Sequence, residues 1–276
     1  MRNKIPIVLF LLLCSAFNYA QTTFSGTVKD KTSGEALAYV NIGIVNKNVG
    51  TVTDANGKFA LAIDSSFDGE TIRISMVGYK ALVFPAADFK KKITTDPVLF
   101  LERSTSNLKE VVIKKKKMTT GILGNMPARK TESAGFVNNV LGNEIGVPIK
   151  LKKKPTYLKS FHAMIDFNRY RELKFRLNFY DLKDGLPNNS LLSENIIVTS
   201  TLKKGQLDVD LTPYNIWAEG DFFVSIELIE GLGEGGLHFI ADYKGTPVIT
   251  RAASQGKWNA DPADGLSFAF WVTAAY

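Results

Sequence analysis

The stretch Gly50-Thr-Val-Thr-Asp-Ala-Asn-Gly-Lys-Phe-Ala-Leu61 predicts a strand, a tight turn and a second strand. The Asn-Gly pair at 56–57 suits positive backbone φ, and such pairs favour the primed turns that match the twist of a hairpin. Beyond the turn, Phe59, Leu61 and Ile63 alternate with smaller or polar residues, which places them on one face toward a core. The Asp-x-Asn-Gly string also begins calcium loops, but the further ligands and the closing Glu are missing here. The stretch therefore predicts a β module and names no chemistry.

Further short strands surround this turn. Between turn signals at even spacing, the apolar pattern predicts strands at residues 24–28, 37–45, 71–76, 81–84 and 98–101. Many short strands separated in this way are typical of a β-sandwich. We therefore assign residues 22–101 to a first β-sandwich module.

Three strings of this module resemble a known family, the carboxypeptidase regulatory-like domain. They are Ser25-Gly-Thr-Val28, Thr53-Asp54…Gly57-Lys-Phe59 and Ile74-Ser-Met-Val-Gly-Tyr-Lys80, in that order. The resemblance implies a small transthyretin-like sandwich that is not catalytic and occurs in secreted and outer-membrane proteins of some Gram-negative bacteria. There it often precedes a TonB-dependent receptor, and residues 108–113 are similar to the segment that joins the two. Too few residues follow for a plug and a large barrel, so we do not expect the receptor function.

Residues 1–20 have the pattern of a secretory signal peptide. Arg2 and Lys4 precede a short apolar run, and Ala20 before Gln21 is a cleavage point. Cys14, the single cysteine of the chain, lies inside this segment, so we expect no disulfide and no cysteine metal ligand after cleavage. Lipidation of Cys14 is the alternative to simple cleavage. The protein is therefore expected to be exported to the periplasm, the outer membrane or the cell surface.

Residues 102–156 are predicted to be a basic connector, because several Gly and Pro residues interrupt any long regular element. Lysine runs occupy positions 114–117 and 152–154. They are expected to be a solvated linker, and peripheral contact with anionic groups of the outer-membrane surface is the alternative. The formal net charge is +7, of which Arg2 and Lys4 supply two, and this mild excess is weak support for a polyanionic partner.

Residues 157–276 alternate in the manner of a second β module. In the string 173–179, Leu173, Phe175 and Phe179 share one face, while Arg176 and Asn178 lie on the other. The predicted fold class is all-β, an N-terminal transthyretin-like β-sandwich followed by a second β-sandwich of jelly-roll type. A small outer-membrane β-barrel is the alternative, since residues 266–276 alternate up to a terminal aromatic residue.

The residues that could carry catalysis or hold a metal are few. His162 and His238 are the two histidines, and neither has the spacing of a zinc site, so no metal and no cofactor is expected. The members of a Ser-His-Asp triad are brought together by the fold, so the sequence alone does not exclude a triad here. A hydrolase is therefore a weaker alternative. An acidic group could supply paired carboxylates for glycoside cleavage, although an exposed acidic face is the simpler explanation; its members are Glu219, Asp221, Glu227, Glu230 and Glu234.

One loop is a candidate ligand-binding site. Trp258 lies beside Asn259 and Asp261 in the segment 256–264. A flat aromatic ring offers apolar contact to the face of a sugar, and neighbouring amides and carboxylates supply hydrogen bonds. Alternatively, Trp258 covers the end of the sandwich as a lid of its core, because Trp is mostly buried in proteins.

These observations favour a non-catalytic envelope protein with a scaffold or interaction role. A carbohydrate-binding protein is the alternative. The expected partner is an envelope protein or a glycan, and no nucleic-acid partner is expected, because the chain is predicted to be exported and shows no helix-based reader.

Overall fold

A computed structural model describes residues 22–104, 118–126, 132–136, 140–233, 235–243, 245–260 and 265–276. The predicted signal peptide with Cys14, the joining segment 108–113, the lysine run 114–117, Glu234 and Asp261 lie outside the described residues. The described residues form an N-terminal module, residues 22–104, and a C-terminal module that begins at residue 118.

The N-terminal module consists of two small sheets and a helix that share one hydrophobic core. One sheet has the strand order β4-β1-β7, and the other has the order β3-β2-β5-β6. The elements are β1 (Thr22–Asp30), β2 (Asn41–Ile44), β3 (Gly50–Val52), β4 (Lys58–Ile63), β5 (Thr71–Ser75), β6 (Leu82–Pro85), α1 (Ala86–Thr95) and β7 (Val98–Leu101), with a 3₁₀ turn at Ser65–Phe67. The buried side chains Phe59, Leu61 and Ile63 confirm the predicted core face of β4.

Helix α1 corrects the all-β prediction. Its apolar face is formed by Phe89 and Ile93, four residues apart, and both are buried in the module's core. Three consecutive lysines lie between them, so the segment reads in the sequence as a polar break between two strands. The coarser prediction, a mostly β chain, is confirmed.

The turn at residues 54–57 differs from the predicted hairpin. β3 pairs with β2, whereas β4 pairs with β1, so the turn carries the chain from one sheet to the other. Gly57 has φ +72°, but Asn56 does not have positive φ. Instead, the Asp54 carboxylate accepts hydrogen bonds from the backbone N–H groups of Asn56 and Lys58, each at 2.8 Å. This is an Asx-type turn rather than a primed one.

The C-terminal module is built from two curled antiparallel sheets over one core. Its strands are β8 (Thr120–Gly124), β9 (Glu132–Phe136), β10 (Glu144–Ile149), β11 (Thr156–Asn168), β12 (Leu173–Lys183), β13 (Leu186–Ser190), β14 (Ile196–Ser200), β15 (Gly205–Asp210), β16 (Trp217–Ala218), β17 (Phe222–Leu228), β18 (Leu237–Asp242), β19 (Ile249–Arg251), β20 (Asn259–Ala260), β21 (Ser267–Phe268) and β22 (Phe270–Ala275), with a 3₁₀ turn at Thr212–Tyr214.

The first of these sheets, which we call the docking sheet, has the order β13-β12-β17-β10-β19-β20, with β14 also beside β12. The second, the outer sheet, has the order β21-β18-β11-β22-β8, with β15 and β16 paired to β11 and β9 paired to β18. This strand order does not show a jelly roll, which stays a prediction. Among the described residues, no helix is long and apolar enough to cross a membrane.

Two segments of the C-terminal half are more regular than the sequence indicated. The region predicted as a connector contains β8, β9 and β10, which pair with β22, β18 and β17 of the C-terminal module. A tight hairpin connects β12 to β13, and its turn residues Asp184 and Gly185 have φ +53° and +78°. An Asp-Gly pair with positive φ at both positions is a type I′ signature.

The N-terminal module lies against the docking sheet and against residues 253–256. The Gln255 side chain donates to the Ser75 hydroxyl at 2.9 Å, and the Asn46 N–H donates to the Gln255 carbonyl at 2.9 Å. The approach is close at Gly43, where an added Cβ would lie 2.1 Å from the carbonyl oxygen of Ser254. The two modules are therefore joined by direct backbone proximity as well as by side chains.

We expect Gly43→Ala to lower the free energy of unfolding by about 1–3 kcal/mol, because the methyl group would force apart two backbones that the interface holds together. Urea denaturation followed by tryptophan fluorescence measures the change. Gly69→Ala is the matched control, because no heavy atom lies within 4 Å of its added Cβ. Equal stability of the two variants would contradict the close contact.

Candidate functional site

A row of four charged side chains crosses the docking sheet on the face turned toward the N-terminal module. The strand register places Arg251 opposite Glu144, Glu144 opposite Glu227, and Glu227 opposite Arg176, so that the signs run plus, minus, minus, plus across β19, β10, β17 and β12. Both carboxylates are 0% exposed. Charges removed from water in this way are stable only when they are paired and hydrogen-bonded.

Arg176 links this row to the N-terminal module. Its Nε and Nη2 lie 2.9 and 2.8 Å from Glu227 Oε2. Its Nη1 donates to the carbonyl oxygen of Tyr39 at 2.7 Å, and its Nη2 also donates to the Asn41 side chain. The backbone of Tyr39, to which this carbonyl belongs, has a left-handed conformation with φ +60°. One guanidinium group therefore binds a carboxylate of one module and the backbone of the other.

Glu144 and Arg251 form the other half of the row. Arg251 Nη2 lies 2.5 Å from Glu144 Oε2, while Asn178 donates to Glu144 Oε1 at 2.9 Å and the Ser225 hydroxyl donates to the same atom. Burial raises the pKa of Glu144, and the nearby charge of Glu227 adds to this. Burial works against the charge of Arg251, yet the carboxylates of Glu144 and Glu227 raise its pKa. Arg251 is thus fixed as a cation at the edge of the row.

A pocket of about 340 Å³ opens beside this row, between the two modules. We call it the inter-module pocket. The N-terminal module contributes Asn41, Val45, Asn46, Arg73, Ser75, Met76 and Val77, and the C-terminal module contributes Arg176, Asn178, Tyr180, Asn188, Asn189, Ser190, Arg251, Gln255, Gly256 and Trp258. Its size lies within the range of about 300–1,000 Å³ typical of small-molecule sites. It is lined by amides, hydroxyls, arginines and aromatic rings.

Trp258, the first of the predicted site residues, lines this pocket and is half-buried. The Arg251 guanidinium lies 4.6 Å from the centre of one of its rings, and Phe223 and Tyr180 meet the indole edge to face at 5.3 and 5.9 Å. The ring therefore packs over the end of the docking sheet and still presents part of its surface to the pocket.

The other two predicted site residues are placed differently. Asn259 is exposed on the short edge strand β20 and does not line the inter-module pocket. Asp261 lies outside the described residues. Of the predicted trio, the structure thus assigns Trp258 to a pocket, and its neighbours there come from distant parts of the sequence.

The expectation of an exposed acidic face is wrong for Glu227, which is fully buried and paired with Arg176. Asp221 accepts a hydrogen bond from the Leu151 N–H, and Glu230 pairs with Lys174 at 2.8 Å.

Neither Glu144 nor Glu227 lines the inter-module pocket, so a ligand there does not reach these carboxylates. A pair of glycosidase-type carboxylates needs direct access to the scissile bond.

The outer sheet brings together a Ser-His-Asp group. His162 Nδ1 lies 2.5 Å from Asp208 Oδ1, and its Nε2 lies 3.0 Å from the Ser160 hydroxyl and 2.9 Å from the Thr273 hydroxyl. The connectivity resembles a catalytic triad, but a triad also requires an oxyanion hole and a substrate cleft. Ser160 lies within β11, between the paired strands β15 and β22, and none of the three triad-like residues lines the inter-module pocket.

His238 stacks on Phe167, with ring centres 4.4 Å apart, and its Nδ1 lies 3.4 Å from the Ser133 hydroxyl. Burial lowers the pKa of His238, which favours the neutral ring. Within the described ranges, no group of three or more His, Cys, Asp or Glu residues is arranged to hold a metal ion.

Comparison with known proteins agrees with the resemblance noted from the sequence. The family model of the CarboxypepD_reg-like domain matches residues 24–113. The TonB-dependent receptor SusC of Bacteroides thetaiotaomicron is 33% identical over 113 residues, which cover 39% of this chain and 10% of the receptor. The chain thus carries a CarboxypepD_reg-like domain, and it spans about a tenth of the length of the curated relative that it matches. The matching family is a regulatory-like domain rather than a catalytic one.

Arg176→Met is expected to destabilise the protein by about 3–5 kcal/mol, because it leaves the Glu227 carboxylate buried without its main partner. Arg73→Met is the control, since Arg73 lines the same pocket but is exposed, and we expect a change within about 0.5 kcal/mol. Urea denaturation at neutral pH measures both. A similar loss in the two variants would show that the buried pair has no special role.

We expect a serine-reactive fluorophosphonate not to label Ser160. The Nε2 atom of His162 is shared between two hydroxyls, and Ser160 lies on a strand that is paired on both sides. Mass spectrometry of the treated protein, with Ser160→Ala as the reference, detects an adduct. Labelling of the unmodified protein at this serine would establish a reactive nucleophile and support a hydrolase.

Proposed function

We propose that this chain is a non-catalytic interaction protein of the bacterial envelope and that its inter-module pocket binds carbohydrate. The observation that carries the proposal is the half-buried Trp258 at the wall of a pocket rich in amide and hydroxyl groups. Sugars are bound by this combination, because an aromatic surface contacts the apolar face of the ring and polar side chains bind its hydroxyls.

The envelope location rests on two observations. The signal-like segment at residues 1–20 predicts export. The relative that matches over 113 residues is a TonB-dependent receptor, and by analogy the CarboxypepD_reg-like domain of this chain serves a role in the envelope. The analogy extends to the domain and not to the receptor's own activity.

The scaffold role and the binding role are compatible in this fold. The N-terminal module contributes one wall of the pocket and also covers the charged row, so it acts as a structural partner of the C-terminal module. A jelly-roll connectivity of the C-terminal module, which many lectin domains share, would fit the same role.

A glycan array tests the proposal. We expect the purified chain to bind a defined subset of glycans, and Trp258→Ala to weaken that binding by about tenfold through loss of aromatic contact worth on the order of 1 kcal/mol. Trp217→Ala is the matched control, because Trp217 is also half-buried but packs against Tyr157 outside the pocket. It should leave binding unchanged.

Binding of no glycan by the unmodified protein would contradict the carbohydrate proposal and leave the scaffold role. Equal loss of binding in both tryptophan variants would place the glycan outside the inter-module pocket, which also contradicts it.

A further inference from the structure

The charges around the inter-module pocket are unbalanced. Its lining includes three arginines, Arg73, Arg176 and Arg251, and no carboxylate side chain is among the described residues that line it. Glu144 and Glu227 lie behind the wall, where they neutralise two of these cations. Arg73 is left as the excess positive charge.

Arg73 is available to a ligand. It projects from β5 of the N-terminal module and is exposed, and its side chain makes a weak contact of 3.4 Å with the Gln255 amide oxygen. A guanidinium group binds a carboxylate with two parallel hydrogen bonds, so an exposed arginine that lines a pocket is well suited to an anionic ligand.

A second, independent feature also calls for a ligand acceptor. Arg251 is 7% exposed and lines the pocket, yet its Nε has no hydrogen-bond partner among the described residues. A buried N–H without an acceptor is unfavourable, and an oxygen acceptor within reach of it would remove that cost. The pocket is therefore lined by a buried arginine with an unpartnered N–H group and by an exposed arginine.

We propose that the inter-module pocket binds acidic saccharides, in which the carboxylate of a uronic acid residue is bound by Arg73 and Arg251. The sugar hydroxyls lie against the amide side chains of Asn41, Asn188 and Gln255, and the ring contacts the exposed part of Trp258. This inference rests on the proposed carbohydrate function and specifies the class of sugar.

The experiment compares galacturonate, glucuronate and mannuronate oligosaccharides with their methyl esters by isothermal titration of the purified chain. Esterification removes the negative charge and keeps the sugar ring. We expect at least one acid to bind at least about tenfold more tightly than its ester, because the acid forms a hydrogen-bonded charge pair with an arginine and the ester does not. The difference should shrink at high ionic strength, because Arg73 is exposed and its field is screened.

Arg73→Gln should reduce the preference for acid over ester about tenfold, because it removes the charge that distinguishes the two ligands. Arg171→Gln is the matched control, because it removes the same charge from an exposed arginine outside the pocket. Acetate is the third arm, and we expect it to compete weakly, since it lacks the sugar ring.

The outcomes separate the two proposals. Neutral glycans bound on the array together with equal affinity for acids and esters would overturn the acidic-sugar inference and leave the carbohydrate function standing. No glycan bound at all would overturn both. Acetate that competes as well as the oligosaccharides would show an anion site without sugar recognition, which overturns the inference. An equal effect of Arg73→Gln and Arg171→Gln would show a general charge effect, which also overturns it.

Discussion

The buried row Arg251–Glu144–Glu227–Arg176 is the constraint on which the arrangement of the two modules depends. Two carboxylates face each other in the middle of a sheet, where their repulsion is not screened by water. Each is offset by an arginine on its outer side. The donors of Arg176 that Glu227 does not use require acceptors, and Tyr39 and Asn41 of the N-terminal module supply them.

This requirement explains why the polar face of the docking sheet is covered. A sheet whose second face carried only neutral polar residues would remain stable in water. Here the second face carries a charge network, and the N-terminal module supplies the hydrogen-bond acceptors that complete it. The network is therefore complete only when the two modules are docked. The close backbone contact of Gly43 with Ser254 follows, because the N-terminal module must approach until its carbonyl and amide groups reach the guanidinium.

The sequence predicts the inside of both modules better than what lies between them. Alternation correctly assigned Phe59, Leu61, Phe175 and Phe179 to cores, because a period of two distinguishes the two faces of a strand. Alternation could not predict that Arg176 would be buried, because it separates the two faces of a strand but does not say whether another module covers the polar face. The turn at 54–57 was misassigned for a similar reason: local residues specify a turn, while the pairing of β3 and β4 with different partners depends on the whole module.

The candidate site shows the same limit at the level of single residues. Trp258 is recognisable from its polar loop, but Asn41 and Arg73 are more than 180 positions away and join it only through docking. Ser160 and His162 share a strand face at a spacing of two, whereas Asp208 reaches them through a register that the sequence leaves open.

The position of the pocket couples ligand binding to module docking. Its walls come from both modules, so a ligand that contacts Arg73 and Trp258 together binds the docked state and gains little from the separated one. Any species that binds one state preferentially stabilises it by mass action. Binding of such a ligand would therefore add to the contacts that already join the two modules. In this fold the regulatory-like module both completes the charge network and lines the inter-module pocket.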